Sequence, residues 1–329
     1  MIGKTLLLTG AMMVGLSAPV LAQTDWSLFT PFNTNDKPTQ LYREFAEDVK
    51  TATDGKLVIE VFSAGELPYK NSDVLKALAT NQVEIADLGI GPVAGDVPEL
   101  NVFVLPFICT TTDEFYSATS DALSVINERL TGKFGVKGLT AWTMPPQQIW
   151  LKDGVSSLAD LDGRKIRTWN RTQVEMLDLL GASGVPITQA EVIPALQRGV
   201  VDGAITAVIP AYDWKFYEVT DYGYMLGFTM TNQLIAVNER AFDALDAQTQ
   251  KTLTERAAAW QGKFRDAINA AAGEAETKLE AEGMTLVAPS ADDIAKAREL
   301  THPLWETWAS DNGDTARKLL DSVSAACGA

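Results

Sequence analysis

Two hydrophobic periods alternate along this chain, and the alternation restricts its possible folds more than any other feature of the sequence. Lys56–Phe62 (KLVIEVF) is apolar at every second position, which is the period of a β-strand. In the segment before it, Leu41, Phe45 and Val49 are spaced four apart, which places them on one face of a helix. Strands that alternate with helices indicate an α/β fold.

The same two periods predict further elements along the chain. The predicted strands are Val83–Ile90, Val102–Leu105, Leu139–Trp142, Arg164–Trp169 and Val185–Thr188. Thr111–Glu114 has the residue types and spacing of a capping box. A helix should begin there and carry Phe115, Ala118, Ala122 and Ile126. Another helix is predicted over Gln173–Leu180, ended by Gly181.

The last third of the chain has a helical character. Residues 240–283 are rich in Ala, Glu, Lys and Gln, with apolar residues at helical spacing: Leu253, Ala257, Trp260 and Phe264. One or two long helices that run across the lobes are expected here, with a stop at Gly283. A final helical segment from about residue 292 to 323 contains Trp305 and Trp308. We expect these two side chains to pack against a lobe.

A short internal repeat indicates two copies of one supersecondary plan. Residues 77–86 read ALATNQVEIA, and residues 195–204 read ALQRGVVDGA. Each copy has the end of a helix, a turn residue (Asn81 or Gly199) and a following strand. We therefore expect two lobes of similar build with the ligand between them, where small-molecule sites commonly lie. Chains of about 300 residues usually divide in this way.

Met1–Ala22 has the layout of a cleaved secretory signal. Lys4 precedes an apolar run from Leu6 to about Leu16, and the segment closes with the small-residue pattern Val20–Ala22. The run is too short to span a bilayer, and no Cys follows the cut to carry a lipid. We expect an exported, periplasmic chain that starts near Gln23 and does not insert into the membrane.

The formal net charge of −16 excludes whole classes of partner. So acidic a chain is repelled by nucleic acid and by anionic lipid surfaces, so no nucleic-acid partner is expected. His302 is the single histidine, and no Cys or His pair has ligand spacing, so we expect no metal and no cofactor. Any anionic ligand must be held by local positive groups that act against the overall charge.

Cys109 and Cys327 leave two possibilities open. Export permits a disulfide between them. A buried free thiol and a frayed C-terminal tail are also compatible with the sequence, because sequence alone does not set the separation of the two Cα atoms.

The segment from Gly163 to Gly203 reads GRKIRTWNRTQVEMLDLLGASGVPITQAEVIPALQRGVVDG. It combines a Gly, a Lys-x-Arg strand, a Gly-Ala turn, and a Glu followed by Ala-Leu-Gln-x-Gly-x-Val-Asp-Gly. With this segment, with IEVFSAGEL at 59–67 and with Leu-Pro-Phe at 105–107, the chain resembles the extracytoplasmic solute receptors of TRAP (tripartite ATP-independent periplasmic) transporters, the C4-dicarboxylate-binding family. The likeness covers nearly the whole mature chain.

The resemblance implies a two-lobed periplasmic-binding-protein fold, type II-like, with a long lobe-crossing helix and C-terminal helices. Lobe I is expected to comprise residues 23–145 and about 232–272, and lobe II residues 146–231 and about 273–329, with the ligand cleft between them. The resemblance also implies that the lobes close on a solute. A membrane-embedded TRAP permease driven by an ion gradient would receive the solute, and the chain itself would catalyse nothing.

Arg167 is the first candidate for holding the ligand. In the family the Arg of this strand forms a bidentate pair with the substrate carboxylate, and a guanidinium fork matches a carboxylate and stays charged. Trp169 lies two residues on and should face the same way. Asp202 and Glu191 are expected to stabilise turns. The other ligand candidates are aromatic residues that would shape a flat ligand and polar or loop residues near the cleft: Trp214, Tyr212, Asn170, Thr206, Gln147, Phe32 and Glu66.

Neutral residues stand where the family often has charged or polar anchors. Gln147 and Gln148 lie in the region where members often carry a second basic residue, and Ala204–Thr206 lies where they commonly have Glu or Asn. We therefore expect a small monocarboxylate with an aromatic or apolar body rather than a dicarboxylate or a sialic acid. A cationic or zwitterionic solute in an aromatic cage, with Arg167 paired to a protein acid, is the alternative.

A periplasmic enzyme is the alternative from another functional class. Nucleophilic hydrolysis normally needs a placed His, and His302 lies in the late helical region. No pair among the 43 acidic residues stands out as a catalytic pair. A sensor that reports ligand occupancy to a membrane receptor would share the fold. The motifs favour solute binding and delivery.

Overall fold

The computed structural model describes residues 23–329, apart from the side chains at positions 120 and 121. The predicted signal segment, Met1–Ala22, lies outside the described residues. From residue 23 onward, the chain folds into two β-sheets with helices packed around them, which confirms the predicted two-lobed α/β class. No helix in this part of the chain combines the length and apolar character needed to cross a membrane.

The first sheet belongs to lobe I. Its strands are β1 (Thr24–Phe29), β2 (Leu57–Phe62), β3 (Ile85–Gly89), β4 (Val136–Thr143) and β10 (Asn232–Asn238). They lie in the order β2-β1-β3-β10-β4. The three N-terminal strands are parallel, and β10 runs antiparallel to both of its neighbours.

The second sheet belongs to lobe II. Its strands are β5 (Gln147–Leu151), β6 (Lys165–Thr168), β7 (Ser183–Pro186), β8 (Gly203–Ala207), β9 (Tyr222–Tyr224) and β11 (Thr285–Val287). They lie in the order β11-β9-β5-β8-β6-β7. β6 is parallel to β7 and β8 on either side, and β5 is antiparallel to β8.

Helices cover both sheets. They are α1 (Lys37–Ala52), α2 (Val74–Ala79), α3 (Ile90–Val93), α4 (Thr112–Phe134), α5 (Arg171–Leu179), α6 (Val192–Gln197), α7 (Val208–Asp213), α8 (Glu239–Asp243), α9 (Ala247–Ala281), α10 (Ala291–Thr301) and α11 (Pro303–Cys327). The predicted capping box at Thr111 is confirmed, because its hydroxyl accepts from Glu114 N at 3.2 Å and α4 begins at the next residue.

The internal repeat is present as two copies of one helix–turn–strand unit. In lobe I, α2 ends, Asn81 adopts a φ of 55° and β3 follows; in lobe II, α6 ends, Gly199 adopts a φ of 68° and β8 follows. In both turns the N–H of that residue donates to the carbonyl three residues back, at 2.9 and 3.1 Å. Each strand then leads into a short helix with proline as its third residue, Pro92 or Pro210, so the repeat continues beyond the segment visible in the sequence.

Helix α9 joins the two lobes. Its 35 residues extend ~50 Å at the usual rise per residue. It packs on α1 and β4 of lobe I and on α7 of lobe II. The apolar positions that predicted it are all buried: Leu253, Ala257, Trp260 and Phe264. The prediction of a long lobe-crossing helix is confirmed, as one helix.

The C-terminal helix departs from the predicted division into lobes. β11 pairs within the second sheet, but α11 packs on α4 and on Pro98–Val104 of lobe I. Trp305 and Trp308 pack in the lobe I core as expected. Cys109 and Cys327 form a disulfide with Cα atoms 5.2 Å apart, which fastens the end of the chain to lobe I. We propose that lobe I includes α11.

One predicted strand is wrong. Val102–Leu105 is not a strand, because Pro98–Val104 form a 3-10 helix whose apolar residues are buried. Proline favours the first turn of a helix, since its missing N–H would have no partner there. A short buried apolar run does not by itself distinguish a strand from a helical turn. The other predicted elements are present with bounds shifted by a few residues.

Lobe I buries the carboxyl group of Asp87 in its core. Asp87 lies on β3 and is fully buried, and Thr30 Oγ1 donates to its Oδ2 at 3.0 Å. Burial raises the pKa of Asp87 to about 8, although hydrogen bonds from the Thr30 and Tyr42 hydroxyls oppose the rise. The group is therefore mostly neutral at pH 7 in the folded chain.

The free energy of unfolding should contain a contribution from Asp87 that is lost as the pH rises from about 4 to about 8. The folded chain keeps a proton that the unfolded chain releases near the ordinary pKa of 3.8, so the contribution is complete below that pKa and absent above the folded one. Asp87→Asn should remove this contribution. The free energy of unfolding should then fall less steeply with pH, by up to ~1.4 kcal/mol per pH unit. Urea unfolding at a series of pH values measures both slopes. Equal slopes in the two chains would contradict the prediction.

Replacing both cysteines by serine should lower the melting temperature. The bridge joins residues 218 positions apart. In the chain-entropy model, its loss increases the conformational entropy of the unfolded chain and so lowers the free energy of unfolding by ~5 kcal/mol. Calorimetry of Cys109→Ser with Cys327→Ser measures the loss. The unchanged chain in dithiothreitol is the control and should melt at a similar temperature. If the variant melted at the temperature of the oxidised, unchanged chain, the bridge would contribute nothing to thermal stability.

Candidate ligand-binding cleft

A cavity of about 440 Å³ lies between the two lobes. Just over half of its lining residues are apolar or aromatic, and the others are polar or charged. The apolar wall comprises residues from both lobes: Pro31, Phe32, Pro38, Pro92, Met144, Trp169, Pro186, Ile187, Ile209, Pro210 and Trp214. Such a wall favours a ligand with a compact apolar body.

Arg167 lines the cavity from β6 and is only 4% exposed. Its Nε donates to Ile187 O at 2.9 Å and its Nη1 to Ile205 O at 3.1 Å. A guanidinium has five N–H groups, so those left over are all on the two Nη atoms. This end of the guanidinium is a fork that matches the two oxygens of a carboxylate.

The guanidinium of Arg167 has no ionic partner among the side chains that the structure describes. No ion pair among residues 23–329 includes it. Burial lowers the pKa of Arg167 to about 10, so the side chain remains charged at neutral pH. A buried charge without a partner is costly, and a bound anion would relieve that cost. The alternative that pairs Arg167 with a protein acid therefore does not describe this structure.

Two carboxyl groups line the same cavity, Asp36 from lobe I and Asp213 from lobe II. Asp36 Oδ2 accepts from Asn33 N at 2.8 Å. Loss of solvation raises the pKa of both carboxyl groups, and the charge of Asp36 adds to the rise at Asp213. This negative side of the cavity disfavours a second acid group on a ligand held by Arg167.

Trp169 of lobe II packs directly against the backbone of lobe I. A Cβ built on Gly91 would lie 2.3 Å from the indole ring, so only a glycine permits this approach. Trp169 Nε1 donates to Gln147 Oε1 at 3.1 Å, and the same oxygen accepts from Gln173 Nε2 at 2.7 Å. Gln147 Nε2 donates in turn to Thr231 Oγ1 at 2.5 Å. The Gln147 amide is thus engaged in orienting the indole.

Two further carboxamides, Asn71 and Gln233, line the cavity from lobe I. Gln233 lies on β10 opposite Gly89 of β3 and is 1% exposed. A Cβ on Gly89 would lie 3.0 Å from Asn71 Oδ1 and 3.3 Å from Gln233 Oε1, so the glycine leaves room for both amides. Sequence reasoning missed this pair. The available signal was a glutamine at the start of the buried apolar run LIAV.

The structure brings part of the predicted site together. Six predicted residues line the cavity: Phe32, Gln147, Arg167, Trp169, Thr206 and Trp214. Asn170, Glu66 and Tyr212 do not. Asn170 caps α5, Glu66 accepts from Ser63 N, and Tyr212 packs on Tyr217 beside a second, smaller cavity. Local caps, turns and packing already use these three side chains.

The residues expected to be structural do stabilise turns. Asp202 Oδ2 accepts from Lys165 N at 2.8 Å, where β6 begins. Glu191 Oε2 accepts from Thr188 Oγ1 at 2.7 Å.

Comparison with known proteins adds the following findings. Residues 33–311 match the DctP family, described as bacterial extracellular solute-binding protein, family 7. A solute-binding protein of Chromohalobacter salexigens is 26% identical over 262 residues, which cover 75% of this chain and 74% of that protein. The ectoine/5-hydroxyectoine-binding periplasmic protein UehA of Ruegeria pomeroyi is 26% identical over 251 residues, or 75% and 73% of the two chains.

A solved structure shares the fold. DctP7, a Bordetella pertussis extracytoplasmic solute receptor binding pyroglutamic acid, superposes with a TM-score of 0.84 at 24% identity. The superposition covers 91% of this chain and 99% of that one.

Proposed function

The chain belongs to family 7 of the bacterial extracellular solute-binding proteins, and from that premise we propose that it captures a small monocarboxylate with an apolar or aromatic body in the cavity between its lobes. It is a solute receptor of the TRAP type, which binds an organic acid and delivers it to membrane permease subunits. The buried, charged guanidinium of Arg167, which pairs with no carboxylate of residues that the structure describes, is the observation that carries the proposal.

The cavity wall supports an acid of this kind. The free N–H groups of Arg167 would seat one carboxylate end-on. Phe32, Trp169 and Trp214 offer aromatic surface to the body of the ligand, and the two aspartates disfavour a second acid group. Two of the similar proteins bind small organic solutes: the Bordetella receptor binds pyroglutamic acid and the Ruegeria protein binds ectoine.

We propose that the lobes close on the acid and that Trp169 forms part of the closed contact. Its indole reaches from lobe II to the backbone at Gly91 of lobe I. The chain passes between the lobes at 144–146, at 225–231, along α9 and between β11 and α11, so the lobes are joined by a few connections that would permit a hinge. Closure of this type places the ligand in a site from which water is excluded.

The remaining parts of the proposal concern export and catalysis. The family is extracytoplasmic, and we propose that Met1–Ala22 is removed on export so that the mature chain works in the periplasm. The family is one of receptors, and we propose that this chain catalyses no reaction. In support, His302 is not among the residues that line the cavity.

Arg167→Ala should weaken organic-acid binding at least ~30-fold, because truncating one partner of a buried charge pair costs about 2–5 kcal/mol. A thermal-shift screen of organic acids identifies a ligand by the mass-action rise in melting temperature, and calorimetric titration then gives the affinities. Arg171→Ala is the matched control, since Arg171 lies close by in sequence but is exposed to solvent. Unchanged affinity in folded Arg167→Ala would remove Arg167 from the site. A screen in which no acid raises the melting temperature would contradict the proposed function.

Gly91→Ala should weaken the same acid by ~10-fold or more, because the added methyl group meets Trp169 only when the lobes close and so lowers the population of the binding-competent state. Gly95→Ala is the control, since nothing lies within 4 Å of a Cβ there. Both variants should melt near the temperature of the unchanged chain without ligand. Equal affinities in the two variants would show that closure does not bring Trp169 onto Gly91.

A further inference from the structure

The lobe I face of the cavity contains carboxamides whose hydrogen bonds are unmade. Asn71 Oδ1 and Gln233 Oε1 are buried and have no hydrogen-bond partner among the described residues. A buried amide without a hydrogen-bond partner lowers the stability of the fold. Its presence therefore needs a reason other than stability. Both side chains line the cavity, and Gln233 is 1% exposed.

Among the other polar side chains of the cavity, Gln147 and Arg167 of lobe II already have partners, whereas the buried Thr168 Oγ1 has none among the described residues. The Gln147 amide bonds Trp169, Gln173 and Thr231, and Arg167 bonds two backbone carbonyls while its Nη fork suits an acid group. The oxygens of the lobe I amides differ from Gln147 and Arg167 because no residue that the structure describes donates to them. A half-turn of a carboxamide exchanges its oxygen and its NH2, so each can present an acceptor or a donor to a ligand.

The amides lie in the opposite lobe from the guanidinium. Arg167 is on β6 of lobe II, whereas Gln233 is on β10 of lobe I and Asn71 begins the turn before α2. Gly89 gives the two amides space to lie side by side. A ligand that touches both faces would link the lobes, so its own polar groups would favour closure.

We propose that Asn71 and Gln233 form a second recognition point, which binds a neutral hydrogen-bonding group, a lactam, amide or hydroxyl, on the acid held by Arg167. This inference rests on the proposed function, since it takes the carboxylate on Arg167 as given. The group is neutral because the amides carry no charge and because Asp36 and Asp213 line the same cavity. The ligand class is thereby narrowed to carboxylates with a hydrogen-bonding ring or chain.

Matched pairs of acids test the inference. Pyroglutamate and cyclopentanecarboxylate share a five-membered ring and differ in the lactam, and 6-oxo-1,6-dihydropyridine-3-carboxylate and benzoate differ in the same way on a six-membered ring. For at least one pair, the lactam acid should bind the unchanged chain at least ~10-fold more tightly than its hydrocarbon partner, because a site built for hydrogen bonds rejects an analogue without them. Calorimetric titration gives the ratio of the two affinities.

Variants assign that ratio to the amides. Gln233→Leu and Asn71→Leu should each reduce the ratio towards one by weakening the lactam acid alone. Gln82→Leu is the control and should keep it, because Gln82 is an exposed glutamine of lobe I that is not among the residues lining the cavity. If Gln233→Leu does not fold by circular dichroism, Gln233→Met replaces it, and Asn71→Leu reports independently because Asn71 is only half-buried.

The outcomes separate the inference from the function. Three results would overturn the inference. The two acids of each pair could bind equally well, or neither lactam acid could bind, or the affinity ratio could stay unchanged in the Gln233 and Asn71 variants. In each case Arg167-dependent binding of another organic acid would leave the proposed function intact. Loss of all acid binding from the unchanged chain would overturn the function itself.

Discussion

A buried, charged guanidinium that has no counter-ion in the described part of the chain is the constraint on which the proposed site depends. Arg167 donates to the carbonyls of Ile187 and Ile205, on the two segments that flank β6, and these hydrogen bonds orient its side chain. The chain as a whole carries a net charge of −16, which opposes an anion. The site must therefore work at short range, through a preorganised fork in a poorly solvated cavity, where charge-assisted hydrogen bonds are strongest.

The architecture supplies the two walls that such a site needs. One helix–turn–strand–helix plan occurs in each lobe, and its two prolines, Pro92 and Pro210, line the cavity from opposite sides. Helix α9 packs on both lobes, and the disulfide fastens α11 to lobe I after the chain has left lobe II. The lobes are thus joined at several points while the cavity between them stays accessible to a solute.

Much of the fold could be predicted because the hydrophobic periods and turn residues are local signals. Asn81 and Gly199 take positive φ at the turns where the repeat requires it, and the capping box at Thr111 begins α4. The features that the sequence left open or that stay proposals depend on long-range packing, and one predicted strand was wrong. The lobe that α11 joins and the pairing of Cys109 with Cys327 are set by contacts across the sequence, and the run at Val102 is compatible with either a strand or a helical turn.

The site was less predictable than the fold. Arg167 was found through the family pattern, and Trp169 through the strand period, but Asn170 and Glu66 were assigned to the ligand although caps and turns use them. The carboxamides of lobe I were missed because their proposed role in ligand binding depends on which groups face them across the cavity. No local pattern carries that information.

The most direct test of this account is a crystal structure with an organic acid that raises the melting temperature. We expect both carboxylate oxygens within about 3 Å of Arg167 Nη1 and Nη2, with the body of the acid between the lobes. An acid bound elsewhere, with the guanidinium bonded to a carboxylate of the protein itself, would contradict the central claim.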